Sequence, residues 1–417
     1  MSTVGADDTR RTGATGGTVG TIGAVAAAQE HLALARRLRP FTTTIFATMS
    51  ELATRTGAVN LGQGFPDTDG PEDLREVAVA AIRDGHNQYP PGNGIPELRR
   101  AVSTHQRAWY GLELDPDDEV LVTVGATEAI AATLLALCEP GDEVVMFEPS
   151  YDSYAACASM AGAVPRFVRL HPPDWSYDPA ALAAAVGPRT KLLLLNTPHN
   201  PTGKVFTPPE LDEIAALCGT HDVAAVTDEV YEHLVFDGTH VPLATRPGMR
   251  ERTLTISSGG KTFSFTGWKV GWVSGPAHLV AAVRAAKQFL TYTSPAPLQL
   301  AVAAGLAFPP AAMHEFAASL AAKRDLLCDG LAALGHTVYR PAATYFATTD
   351  VSGVAPGMRA LQYCLALPER CGVVAVPSSV FYDRADADAG ASLVRWAFCK
   401  RDDVLRDALT RLASWAP

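Results

Sequence analysis

Short unbroken runs of apolar residues alternate along the chain with longer stretches in which apolar residues recur every three or four positions. The runs EVLVTV (119–124), EVVMF (143–147), KLLLL (191–195), VAAVT (223–227), TLTIS (253–257) and VGWVS (270–274) mostly lack strict in-out alternation. That pattern predicts short strands covered on both faces. Helical stretches such as TEAIAATLLALC (127–138) and PPELDEIAALC (208–218) separate most of them, and Pro209 suits a first helical turn. This rhythm predicts an α/β sheet with helices on both sides.

After about residue 300 the character changes. A long helical segment (311–334) leads to the short runs HTVYR, TYFAT, VVAV and LVRWAF, predicting a second, smaller α+β domain. The stretch FTTTIFATMSELA before the sheet would pack against that second domain. The expected organisation is an extension over 1–35, an arm over 36–65 joining the small domain, a large domain over 66–300 and the small C-terminal domain over 301–417. Gly, Ala and Thr dominate the first 30 residues. Arg10 and Arg11 precede a mildly apolar run ending AVAAAQ, as in a secretory signal, but Asp7 and Asp8 lie ahead of them and the run is diluted. A disordered extension is the favoured reading.

Composition narrows the partners. The 417 residues are 47% hydrophobic and 19% charged, which describes a globular chain with a large core. A net charge of −10 leaves no electrostatic footprint for nucleic acid or an anionic membrane, so small molecules and other proteins are expected. Residues 288–314 carry no charge, yet Pro295, Pro297, Pro309, Pro310 and Gln299 interrupt them, against a membrane span. Seven cysteines stand singly with no CxxC pair, giving neither a zinc cluster nor a disulfide framework and pointing to a reducing, cytoplasmic location. No metal site is expected.

Four stretches carry candidate chemistry, each at the end of an expected strand, where open α/β sheets bind ligands. In VTVGATEAI (122–130) a strand runs through Gly125, Ala126 and Thr127 straight into a helix, so free N–H groups and a hydroxyl converge on an anion site. Taken alone, this short stretch reads better as a plain strand-turn-helix with Thr127 as helix cap. LNTPHNPTGKVF (195–206) sets two prolines and a glycine into a rigid turn bearing Asn196 and Asn200. VTDEVYEHLVFDG (226–238) ends a strand on Asp228, a carboxylate that is costly there without a cation, and places Tyr231 three residues on. SSGGKTFSFTGWKVGW (257–272) holds Lys261 and Lys269 eight positions apart among glycines and hydroxyls. His199 reads as a turn residue and His233 as a helix-end residue. A phosphate cradle, a buried carboxylate, a phenol and a lysine in a Gly/Ser turn are the parts that hold pyridoxal 5′-phosphate.

With these motifs the chain resembles the class I/II aminotransferases of pyridoxal-phosphate fold type I, from about Arg39 to the C-terminus. NLGQGFPD (60–67), NQYPPGNGIPELRRA (87–101), EPSYDSY (148–154) and DEVYEHLVFDG are similar to the branch containing kynurenine/glutamine, methionine and actinobacterial N-succinyldiaminopimelate transaminases. The resemblance implies a large domain built on a mostly parallel seven-stranded sheet, a smaller α+β domain and a homodimer with shared active sites.

It also implies roles. Lys261 forms the Schiff base and moves the proton between the substrate Cα and the cofactor. Asp228 pairs with the ring nitrogen, Asn200 and Tyr231 bond the phenolate oxygen, and Tyr151 stacks on the ring. Gly125, Ala126, Thr127, Ser258 and Lys269 grip the phosphate, Lys269 standing where many relatives carry arginine, and Tyr89 reaches the phosphate of the neighbouring subunit. Arg395, mid-strand in SLVRWAFCK, clamps the substrate α-carboxylate with Gly64 and Asn200 nearby, and Phe46 lines the side-chain pocket, where Phe381 is a further apolar candidate. The implied activity is transamination from an L-amino acid to 2-oxoglutarate, with N-succinyl-L,L-diaminopimelate, of lysine biosynthesis, as first choice of donor. Kynurenine/glutamine or methionine transamination and cysteine-S-conjugate β-lyase activity remain open. A regulator's effector domain is disfavoured by the acidic charge and the lack of a DNA-binding helix pair.

Overall fold

Six of the apolar runs become strands within a residue or two of their expected ends. The structure is a computed structural model that describes residues 34–41, 45–386 and 388–415, so the expected extension lies almost wholly outside the described residues. The chain divides into units at residues 1–42 and 43–417, and the described part of the first holds a 3-10 turn at Arg36–Leu38.

The main sheet of the second unit comprises β1 (Val120–Thr123), β2 (Glu143–Glu148), β3 (Val164–Arg169), β4 (Thr190–Asn196), β5 (Ala224–Asp228), β6 (Thr253–Ser258) and β7 (Gly271–Ser274). Their order is β1-β7-β6-β5-β4-β2-β3, and only β7 runs antiparallel to its neighbours. The sheet is therefore seven-stranded and mostly parallel, as expected. Strand β3 had no counterpart among the apolar runs. It is an edge strand whose alternate residues meet solvent, so VPRFVR mixes polar and apolar positions and tolerates Pro165.

Two apolar cores cover the sheet faces. One packs Ile130 and Leu134 of helix Gly125–Leu137 on Val144, Met146 and Val226; the other packs Leu211 and Ile214 of helix Pro208–His221 on Val145, Leu193 and Ala225. The second of these helices is set by its own ends: Thr207 and Glu210 form a reciprocal capping box, and Asp222 closes it in the left-handed region at φ 52°.

A four-stranded antiparallel sheet follows the long helix Pro310–Ala333: β8 (Thr337–Tyr339), β9 (Phe346–Asp350), β10 (Val376–Pro377) and β11 (Leu393–Ala397), in the order β10-β11-β9-β8. Val59–Asn60 pairs in parallel with Val373–Val374, and Met49, Ala53 and Leu61 share one core with Ala347, Tyr363, Val374 and Trp396. Among the described residues no single helix is long and apolar enough to cross a membrane.

Candidate active site

The carboxyl ends of β1, β4, β5 and β6 lie along one edge of the main sheet, and reversed β7 starts at that same edge, with Thr123 opposite Gly271. One cavity opens there. It is lined by Phe46, Gly64, Gly125, Ala126, Thr127, Tyr151, Asn200, Asp228, Tyr231, Ser258, Lys261, Lys269 and Arg395. These are all the residues expected from the sequence except Tyr89 and Phe381, the latter standing behind Phe46 with ring centroids 5.9 Å apart. Tyr89 is 85% exposed and stands edge-on to Tyr292, outside this cavity.

Burial governs the charged groups. Asp228, at the end of β5, accepts the Tyr154 hydroxyl at 2.7 Å and has no ion-pair partner among the described residues. Burial pushes its pKa up to about 6, against the pull of Tyr154, the Val230 N–H and Lys261. Lys261 sits in the short helix Gly259–Thr262, and its Nζ donates to the Tyr345 hydroxyl at 2.9 Å. Burial lowers its pKa to about 8, opposed by Cys399 and Asp228. A substantial fraction of this amine is thus neutral near physiological pH, as a nucleophile or base requires.

Arg395 is 2% exposed on β11. Its Nη1 donates to Asn200 Oδ1 at 3.1 Å and its Nη2 to the Gly62 carbonyl at 3.0 Å, while its buried Nε has no partner. The guanidinium lies between the rings of Phe346, Phe381 and Phe46, 4.0, 4.8 and 5.2 Å from their centroids. Desolvation lowers its pKa to about 10. Gly64 is small by necessity, because a Cβ there would stand 2.3 Å from the Phe346 ring.

The phosphate-cradle reading also has a physical basis. Helix Gly125–Leu137 begins without a side-chain cap, and Gly125 adopts φ 72°, a conformation open to glycine. Its first N–H groups therefore remain for a ligand, and Ser258 and Lys269 line the same cavity. A capless helix end, a hydroxyl and an ammonium suit a phosphate, and a buried carboxylate lacking a cation suits a protonated ring nitrogen. The residues present fit pyridoxal phosphate.

Sequence reasoning missed Tyr154 and Tyr345. Tyr154 had a signal, since it shares EPSYDSY with Tyr151 and stands one helical turn beyond it. Tyr345 had none, because TYFAT reads as an ordinary strand. His199 is buried in the turn, hydrogen-bonded to Thr202 Oγ1 at 2.8 Å, and burial takes its pKa down to about 3. His233 lies in a turn rather than at a helix end. There its Nε2 is 2.7 Å from that of His105, while Glu232 accepts from Tyr110 at 2.8 Å and Ser257 at 2.6 Å. Burial lowers both imidazoles, to about 4 for His233, so they are neutral and share one N–H across a closed polar cluster behind the cavity.

Comparison with known proteins agrees with this geometry. The family model for aminotransferase class I and II matches residues 56–412. The chain belongs to that family and is a pyridoxal-phosphate-dependent aminotransferase of fold type I. It is 51% identical over 386 residues to a probable N-succinyldiaminopimelate aminotransferase, DapC, of Mycobacterium tuberculosis, covering 90% of this chain and 97% of that one. A methionine aminotransferase of Escherichia coli is 38% identical over 371 residues, covering 89% and 95%. The solved structure of N-succinyldiaminopimelate aminotransferase from M. tuberculosis superposes with a TM-score of 0.89, covering 91% of this chain and 99% of that chain.

Proposed function

We propose that this aminotransferase takes N-succinyl-L,L-diaminopimelate as amino donor and 2-oxoglutarate as acceptor. The supporting observation is the 51% identity across nearly the whole chain to the M. tuberculosis relative of that name. When bound, pyridoxal phosphate supplies an electron-poor ring that accepts the electron pair left when the substrate Cα loses its proton. The chain does the rest. Gly125, Ala126, Thr127, Ser258 and Lys269 would hold the phosphate, Asp228 would pair with the ring nitrogen, Asn200 and Tyr231 would bond the phenolate oxygen and Tyr151 would stack on the ring. Lys261 would carry the cofactor, and its neutral amine would take the Cα proton. Arg395, already dehydrated by three phenyl rings, clamps the α-carboxylate in bidentate fashion.

A second reading has its own support. The cavity lining holds no cation beyond Lys261, Lys269 and Arg395 among the described residues, so a succinyl carboxylate would need one from a neighbouring subunit. Phe46 and Phe346 instead suit the neutral or aromatic side chains of methionine, glutamine or kynurenine. A panel of these donors with 2-oxoglutarate decides: kcat/KM for N-succinyl-L,L-diaminopimelate should exceed the others by at least about tenfold, the value of one well-placed interaction. A higher value for methionine or kynurenine sinks the first reading. Pyruvate released from a cysteine conjugate without keto acid identifies the β-lyase course.

The same proposal includes a homodimer with shared sites, a small C-terminal domain that closes on the large one, and a cytoplasmic location, for which the seven buried unpaired cysteines speak. Tyr89 and Phe289 are 85% and 84% exposed, with Leu290 and Tyr292 each at 46%, an apolar patch unusual for a monomer's surface. Phe289→Asp should shift the sedimenting species from two chains towards one and lower activity with it. A wild-type protein sedimenting as a single chain refutes the shared site.

A further inference from the structure

Tyr345 ends an irregular segment and is 2% exposed. Its hydroxyl lies 2.9 Å from Lys261 Nζ and 2.8 Å from the Gly64 carbonyl, and it also hydrogen-bonds the Tyr231 side chain. Of these partners only the Gly64 carbonyl cannot donate, so the single phenolic proton goes to Gly64 and the oxygen's lone pairs face Lys261 and Tyr231. The amine is therefore held through one of its N–H groups. Held that way, the nitrogen lone pair of the neutral amine points away from Tyr345.

The surroundings fix this geometry. The Tyr345 ring meets Tyr231 and Phe346 edge-on, with centroids 5.3 and 4.8 Å apart, which restricts its rotation. Thr344, immediately before it, has φ 72°, a left-handed conformation that a β-branched residue rarely adopts. It stays there because its N–H bonds the Leu234 carbonyl at 2.8 Å and its hydroxyl accepts from the Phe346 N–H at 3.2 Å. Such strain persists only where neighbours over-determine it, and it collects at functional sites.

We propose that Tyr345 is a positioning residue: by accepting an N–H of Lys261 it aims the amine at the cofactor aldehyde and gives the displaced amine a resting partner. The proposal rests on Lys261 as the cofactor-carrying residue, and the test separates the two.

Full-length protein stripped of cofactor is mixed with pyridoxal phosphate at a series of pH values, and growth of the visible absorption band is followed by stopped flow. In the wild type the rate should rise with pH through a midpoint near 8, where Lys261 deprotonates. Tyr345→Phe keeps the ring and its packing but removes the acceptor. Its high-pH plateau should fall about tenfold because the amine is no longer aimed. Its midpoint should move down, because an acceptor that favours the ammonium is lost. A plateau equal to the wild type's, or a midpoint that rises, overturns the role of Tyr345. A wild type that forms no band, or a Lys261→Ala variant that forms the same one, overturns the reading of Lys261 instead.

Discussion

Lys261→Ala should lose transamination by at least about a thousandfold in kcat, measured as keto-acid-dependent product formation, while still binding pyridoxal phosphate. General acid–base catalysis alone contributes about 10²–10⁴-fold, and this variant loses the covalent carrier as well. The phosphate cradle and Asp228 do not depend on the lysine side chain, so the cofactor should remain, without the absorption band of a lysine-bound aldehyde. Retained turnover would show that another group moves the proton. His199 is a poor candidate, since its ring is buried and its pKa lies near 3.

Asp228→Asn is the second large effect, and it separates catalysis from stability. A neutral amide cannot hold a charge on the ring nitrogen, so kcat should fall roughly 10²- to 10³-fold, the range for removing one preorganised electrostatic partner. The cofactor-free protein should respond in the opposite sense. Burial raises the folded-state pKa of Asp228 from 3.8 to about 6, which corresponds to roughly 3 kcal/mol. For an acid whose folded pKa is raised, the associated stability is fully present below the unfolded value and is lost as pH rises through the folded one. Without cofactor, Asp228→Asn should therefore unfold in urea at a higher midpoint than wild type at pH 7.5, and the difference should shrink by pH 4.5. An equal gap at both pH values would mean that Asp228 is not a buried charge awaiting a cation.

The parallel strands were legible because strands covered on both faces must be apolar, as the buried run of leucines from 192 to 195 is; β3 was not, because alternate residues of that strand meet water. The sites at strand ends were legible for a related reason. A carboxylate such as Asp228, or a lysine such as Lys261, breaks an apolar or Gly-rich context and needs a partner to offset its desolvation. Tyr345 escaped notice because a tyrosine costs a strand nothing, and its role arises from contacts with Gly64 and Lys261 that span 281 and 84 positions of chain. Arg395 drew attention by its charge, but the ring of phenylalanines around it comes from three separate segments.

The reversal of β7 has a mechanical corollary. Because that strand turns back against its neighbours, Lys261, proposed to tether the cofactor's aldehyde, and Lys269, proposed to help anchor its phosphate, sit on one short connector between β6 and β7. On the proposed roles, both ends of the small molecule would be moored to the same piece of backbone. Lengthening that connector by even a residue would pull the moorings out of step, whereas insertions in the opposite rim of the sheet should leave them in register.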